Sequence, residues 1–279
     1  MPEPTLHFRK AVVAWAVLSV IGVFAIVLLL GPHMPPGRGS VEASQQTTTN
    51  ILISSIMLPI TLAVWIFFGL ALATFRQRGE QIVDGPPIVG NARIQASWIA
   101  GTTLIVLFLA AFGTYSLLDS AKGASGGGQG ADPLVTPSGK ALQVQVIGQQ
   151  WAWTFRYPDN GGFETTHLML PVGRLVELHV TSLDVIHSFW AYELGVKADA
   201  VPGSDNVAYV TAQKTETFSI RCAEVCGLWH GYMSTHGEVV SDTAFATWLQ
   251  SEKSAVALAT HGLPHYSPVY YPDPPRRAG

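Results

Sequence analysis

Between Cys222 and Met233 the chain reads Cys-Ala-Glu-Val-Cys-Gly-Leu-Trp-His-Gly-Tyr-Met, a C-x3-C-x3-H-x2-M pattern. It gathers two thiols, an imidazole and a thioether, and Cys222 and Cys226 are the only cysteines of the chain. Soft sulfur donors beside an imidazole select copper among the common metals. Two plainer readings compete. An oxidising compartment favours a disulfide, but a bridge between such close neighbours closes a short loop and stabilises little. It also leaves His230 and Met233 without a part. Structural zinc suits two Cys and two His in a tetrahedron. The thioether of Met233 points to copper instead, unless Met233 and Trp229 are simply apolar filling.

A further donor must come from elsewhere, and His187 in Asp184-Val-Ile-His187-Ser-Phe-Trp190 is the candidate. His179 lies in an alternating run, where it packs or faces solvent. His167, His236, His261 and His265 have no partner motif. A mononuclear blue-copper site needs one Cys, two His and a weak axial Met, so the second cysteine is surplus there. Two thiolates can bridge two metals, with His187 and His230 capping one each. Met233 would then be a weak ligand on one side and the Glu224 carbonyl its counterpart on the other. Such a centre shares an electron across both metals and leaves no open position for a substrate. It implies one-electron relay.

These donors need a frame. Residues 141–147, 174–181, 206–212 and 215–221 alternate apolar and polar, the pattern of half-buried strands. Turn signals such as Pro171-Val-Gly173 and Pro202-Gly203 separate them. Short strands with Gly/Pro turns and no dinucleotide or phosphate-loop motif argue for a sandwich or small barrel of about 110 residues. His187 follows the strand 174–181 and the cysteine segment follows 215–221, so both belong to strand-end loops, which cluster in a sandwich. A short amphipathic helix is expected after Asp242 as N-cap, with Phe245, Trp248 and Leu249 on its inner face.

The N-terminal part is of another kind. Residues 11–31, 51–75 and 94–118 carry no charge, and each is long enough to cross a bilayer. Pro59 in the second run is tolerated where neighbouring helices satisfy the freed backbone. Arg9 and Lys10 precede the first run, and Arg76, Arg78 and Arg93 lie between the second and third. The positive-inside rule therefore puts the N-terminus and residues 76–93 in the cytoplasm and everything after Asp119 outside. Charged residues make up 13% of the chain, about half the soluble norm. Beyond residue 118 fifteen acids outnumber ten bases, which excludes nucleic acid as a partner and favours a basic one. Residues 119–140 read as a Gly/Ser-rich linker and 255–279 as a surface tail. The first run competes with a signal peptide, for which Val41-Glu42-Ala43 is a passable cleavage site. Its apolar core is longer than such peptides use, so a retained anchor is expected.

The stretches ILISSIMLPITLAVW, DGPPIVGNARIQASW, LAAFGTYSLL, VIGQQWAWTFRY, DVIHSFWAYELGVKADAVPG and RCAEVCGLWHGYM, in this order, cover most of residues 51–240. Through them the chain resembles subunit II of the haem–copper cytochrome c oxidases, which carries a dinuclear CuA centre. The resemblance implies a membrane-anchored all-β protein. A transmembrane helical hairpin (51–118), plus an extra N-terminal helix (11–31, within 1–50), would precede a cupredoxin-like Greek-key β-barrel (141–254). It implies CuA ligands His187, Cys222, Cys226, His230 and Met233, with Glu224 through its carbonyl. It also implies a magnesium ion at the subunit I interface held through the Glu224 side chain, and Trp151 as the residue through which electrons arrive. As isolated features, Glu224 would be a solvated carboxylate and both Trp151 and Trp153 packing residues. Alternation of Trp151 and Trp153 puts them on one face, with Trp151 at the surface. Asp184 and Glu164 would belong to an acidic docking patch.

The implied function is that of the subunit of a proton-pumping terminal oxidase that receives single electrons from cytochrome c and passes them to haem in subunit I. Subunits I and III and the lipid bilayer are the implied partners. The implied location is a bacterial plasma membrane, with the C-terminal domain on the outer face. Three features depart from the family pattern. Tyr192 replaces the usual Pro before Glu-Leu-Gly, the span 11–31 is additional, and no Cys-x-x-Cys-His follows the barrel to carry a fused haem. Two alternatives remain: a metal-free quinol-oxidase subunit, disfavoured by the full ligand set, and a CuA subunit of a nitric oxide reductase or a standalone copper carrier.

Overall fold

A computed structural model describes residues 4–74, 76, 90–120 and 140–259. Most of the expected linker, the end of the tail and the Asp-Gly-Pro-Pro loop with Arg78 lie outside the described residues. The chain forms two units, one of residues 1–34 and 48–115, the other of 35–47 and 116–279.

The first unit is helical. Helix α1 (Pro4–Ala25) runs on through a π-helical turn and a 3-10 turn to His33, α2 spans Val41–Thr74 and α3 spans Ala92–Ser120. Their membrane-length stretches cover 27, 34 and 25 residues. Large apolar side chains point outward, Leu104 at 68% exposure and Trp65 at 67%, as a hydrocarbon solvent permits. Helix α1 packs on α2 through small residues and one polar tie. Gly22 lies against Leu58, a Cβ on Gly31 would meet Ile51 at 2.9 Å, and the Trp15 indole donates to the Pro59 carbonyl at 2.8 Å. Close approach at glycine and an interhelical hydrogen bond are how helices associate in lipid.

Helix α2 starts ten residues before the expected span at 51. Ser40 is the reason. Its hydroxyl accepts the Ala43 N–H at 2.9 Å, an N-cap, and donates to the Leu194 carbonyl at 2.6 Å. Residues 35–47 thereby become part of the β unit instead of a free external loop. Gln213 donates to the Gly39 carbonyl at 2.8 Å, the Gln46 amide to Gly195 at 2.6 Å, and Thr211 N–H to the Glu42 carboxyl at 3.2 Å. Ala43 is fully buried against Gly195, whose φ of 66° and missing Cβ allow the approach.

The β unit consists of β1 (Leu142–Gln149), β2 (Ala152–Arg156), β3 (Glu164–Thr165), β4 (Leu168–Pro171), β5 (Leu175–Ser182), β6 (His187–Ala191), β7 (Val196–Ala200), β8 (Asn206–Thr211), β9 (Glu216–Cys222) and β10 (Ser234–Val240). They form two five-stranded sheets, ordered β3-β2-β1-β5-β8 and β4-β10-β9-β6-β7. Val144, Val146, Leu178 and Val180 of the first sheet share one core with Phe189, Phe218 and Ile220 of the second. The Phe189 ring meets Trp153 edge-on at 5.5 Å and Phe155 at 6.3 Å, joining the sheets at the centre.

The four strands expected from alternation are β1, β5, β8 and β9. Strand β6 escapes that reading because four of its five residues are buried, so it does not alternate. Strand β10 carries Gly237, which packs under the Phe218 ring, in place of an apolar side chain. Helix α4 (Asp242–Ala259) closes the sandwich with Phe245, Trp248 and Leu249 inward, as expected. Its cap is Ser241, whose hydroxyl accepts the Ala244 N–H at 3.3 Å, and not Asp242, which sits in the first turn.

Cleavage after Ala43 would remove both the Ser40 cap and the buried Ala43. The chain isolated from membranes is expected to retain residues 4–43 by intact mass; a mature start at Ser44 would contradict this.

Candidate metal centre

Strand pairing brings the donors together. β6 runs antiparallel to β9 with Phe189 opposite Cys222, so the start of β6 lies beside the end of β9. His187 opens β6 and is fully buried, not on the loop itself as the sequence suggested. Residues 183–186 form that loop, and the Ser182 hydroxyl pins it by donating to the Val185 carbonyl and accepting the Asp184 N–H.

After Cys222 the chain makes a closed excursion and returns. Cys222 N–H donates to the Met233 carbonyl at 3.0 Å, and Ala223 N–H to Ser188 at 2.9 Å. Gly227 turns the loop with φ of 116°, and a 3-10 turn (His230–Tyr232) leads into β10. Both cysteines are free thiols. Their sulfurs stand 3.7 Å apart. His187 Nδ1 lies 3.8 Å from Cys222 Sγ, and His230 Nδ1 lies 3.5 Å from Cys226 Sγ. Met233 Sδ is 3.8 Å from Cys226 Sγ, and the Glu224 carbonyl is 3.2 Å from Cys222 Sγ. Each sulfur thus has one imidazole and one weaker donor. The ligand atoms of His187, Cys222 and Cys226 all lie within 4.8 Å of one another, the one such group among the described residues.

The donor set suits soft metal. It holds two thiols, two imidazoles, a thioether and a carbonyl, with no carboxylate oxygen in the group. Without a cation the Cys226 thiol is pushed up to about 11, first by burial and then by the neighbouring Cys222. A bound cation reverses that balance, because a coordinating thiol loses its proton. On His187, Nε2 faces Asp184 Oδ1 at 2.9 Å, which leaves Nδ1 turned to the sulfurs. This carboxylate–imidazole pair is the usual support of a metal-ligating histidine. Burial would raise the Asp184 carboxyl, but hydrogen bonds from Gln150, His187 and Val185 hold it below its ordinary value.

Trp151 lies in the turn between β1 and β2, half-buried, with its indole N–H donating to the Cys226 carbonyl at 3.2 Å. Trp153, within β2, is buried and meets the His187 ring edge-on at 6.0 Å. The two tryptophans therefore do not share a strand face, since Trp151 is outside the strand. Asp184 stands at the ligand loop, while Glu164 occupies β3 and faces Arg156 at 4.0 Å. The Glu224 side chain is exposed. Tyr192, where the family pattern has Pro, donates its backbone N–H to Ser219 at 3.0 Å, a bond proline lacks. His179 lies between Asp205 at 2.7 Å and Gln143 at 2.6 Å; burial opposes its charging, but Asp205 raises it above the usual imidazole value.

Sequence reasoning missed two features of the site. Asp184 is the hydrogen-bond partner of His187, which its three-residue spacing could have announced. Gln150 donates its amide to the Cys226 carbonyl at 2.8 Å, and no spacing signals that.

A cluster of soft donors on a β-sandwich, in a chain with three membrane-length helices, defines a membrane-anchored protein of cupredoxin-like fold. Residues 162–240 match the family described as cytochrome C oxidase subunit II, periplasmic domain. The chain is 31% identical to cytochrome c oxidase subunit 2 of Thermostichus vulcanus, covering 88% of this chain and 86% of that protein. It is 25% identical to the Cereibacter sphaeroides subunit 2, covering 85% and 87%. The periplasmic domain of subunit II (CoxB) of Bradyrhizobium japonicum is 36% identical over 42% of this chain and 97% of that domain, with a TM-score of 0.41. The chain belongs to the cytochrome c oxidase subunit II family. It is accordingly a respiratory oxidase subunit that assembles with the other subunits of a haem–copper oxidase.

Replacing Asp184 by Ala removes the partner of His187 Nε2 and is expected to weaken copper binding about 10–100-fold in a chelator competition titration. Unchanged affinity would deny the carboxylate its supporting role.

Proposed function

We propose that this chain receives single electrons from cytochrome c and delivers them to haem in subunit I of an oxygen-reducing, proton-pumping oxidase. The observation that carries the reading is the paired arrangement of the thiols, each with one imidazole: Cys222 with His187 and Cys226 with His230. His187, Cys222, Cys226, His230, Met233 and the Glu224 carbonyl would hold two copper ions as a CuA centre. When bound, such a pair supplies one-electron redox chemistry in which little geometry changes.

The chain's own residues do the rest. Asp184 fixes the His187 ring, and the loop closed between Cys222 and Met233 holds the thiols ready, so little reorganisation accompanies metal binding. Trp151 receives the electron: its ring is part-exposed and its N–H touches the carbonyl of a thiol ligand. Val225, Leu228 and Tyr232 are 77–83% exposed on the ligand loop, an apolar face suited to contact with another protein. The exposed Glu224 carboxylate would reach a magnesium ion at the boundary with subunit I. Subunit III completes the assembly. The chain sits in a bacterial plasma membrane with its β unit outside, as the flanking Arg and Lys residues support. The contacts of α1 with α2, including the Trp15–Pro59 hydrogen bond, support α1 as a third span.

The copper-loaded chain is expected to be purple and to show a mixed-valence EPR signal shared equally by two coppers. A colourless protein holding one zinc ion would sink the reading. Trp151→Phe is expected to slow oxidation of the donor cytochrome in stopped-flow records while the copper signal stays intact. An unchanged rate would remove Trp151 from the route.

A further inference from the structure

Strands β1 and β2 pair up to Gln149 and Ala152, so the link between them is only Gln150 and Trp151. Neither residue is Gly, Asn or Pro, and three contacts from outside the hairpin hold the link. Asp184 Oδ2 accepts the Gln150 backbone N–H at 2.7 Å. The Gln150 side-chain amide donates to the Cys226 carbonyl at 2.8 Å. The same carbonyl accepts the Trp151 indole N–H at 3.2 Å. A carbonyl oxygen has two lone pairs, so both donors fit and neither displaces the other.

The neighbourhood is shaped for this double bond. Gly227 follows Cys226 with φ of 116°. A Cβ there would stand 3.0 Å from the Gln150 amide nitrogen and 3.3 Å from Trp151 Cζ2. A side chain at 227 would therefore strain the backbone and push both donors off the carbonyl. Asp184 also ties the two ends together, holding Gln150 with one oxygen and His187 with the other. The Gln150 side chain is nonetheless exposed and buries no core.

We propose that Gln150 is a positioning residue: it fixes the Trp151 indole on the Cys226 carbonyl, so that the electron-receiving ring joins a thiol ligand through one hydrogen bond. The shortest covalent path from that bond to the sulfur that would hold the metal runs through the Cys226 carbonyl carbon, Cα and Cβ to Sγ. Without the Gln150 amide, water takes the vacated lone pair and the β1–β2 link loses a tie to the Cys226 loop. The ring then moves on its two-residue link, and its contact with Cys226 becomes intermittent. This inference rests on the reading of Trp151 given above for its functional consequence, but not for its geometry.

The test uses the full-length chain in detergent, free of metal and labelled with nitrogen-15 at its 8 tryptophans. Trp151→Phe identifies the Trp151 indole signal. In Gln150→Ala that signal is expected to shift and its proton to exchange with solvent about five- to tenfold faster, the loss of one modest hydrogen bond. Gln150→Asn, whose shorter side chain stops short of the carbonyl, is expected to behave alike, while the other indole signals stay in place. An indole signal with unchanged position and exchange in both variants would overturn the proposal. In the assembled, copper-loaded oxidase, Gln150→Ala is expected to slow electron uptake from reduced cytochrome c with the EPR signal unaltered. Slower uptake with an unmoved indole would also overturn it, since Gln150 would then act by touching the donor. Failure of the unaltered chain to show a copper-pair signal counts against the proposed function and leaves the indole measurement standing.

Discussion

Strand β6 pairs antiparallel with β9 so that Phe189 lies opposite Cys222, and that register decides where the donors fall. His187 is two residues before Phe189, at the same end of the sheet as the close of β9. A slip of one residue would turn His187 to the other face of the sheet and carry its imidazole away from the sulfurs. The register is held from the core side: Phe189 is fully buried between Trp153 and Phe155, which belong to the opposite sheet. The metal centre thus depends on sandwich packing, and the ligand loop hangs from a rigid frame rather than forming its own.

The loop needs little from itself once that frame exists. One backbone hydrogen bond from Cys222 to Met233 closes it, Gly227 turns it and the Trp151 and Gln150 donors hold the Cys226 carbonyl. The cost of gathering like donors is visible in the Cys226 thiol, which burial and its partner thiol drive up to about 11. A bound cation would relieve that cost: folding places the thiols, and metal binding would ionise them. The ligand loop also exposes apolar side chains, a poor surface for water and a good one for a protein partner, consistent with a subunit of a larger oxidase.

Much of this was legible in the residues. The C-x3-C-x3-H-x2-M spacing named the loop donors, and the uncharged runs named the helices. The alternation of β1, β5, β8 and β9 gave away four of the ten strands. Strand β6 did not, because burial on both faces erases alternation, and so the sequence alone puts His187 on a loop. The early start of α2 was hidden because Ser40 acts on Leu194, far along the chain, and no local pattern reports such a contact. The same holds for Gln150: its partner Cys226 is remote in sequence, and a glutamine beside a tryptophan has no signature of its own. Local periodicity reads out elements; contacts between distant loops require the fold.

The bridging role of the second cysteine is what the proposed copper pair stands on. It is tested most directly by the copper content of the full-length chain beside that of Cys226→Ser, measured by elemental analysis after identical loading. Two coppers per chain are expected for the unaltered protein, and the shared signal should vanish in the variant, with at most one copper retained. Two coppers and an unaltered signal in Cys226→Ser would contradict the account.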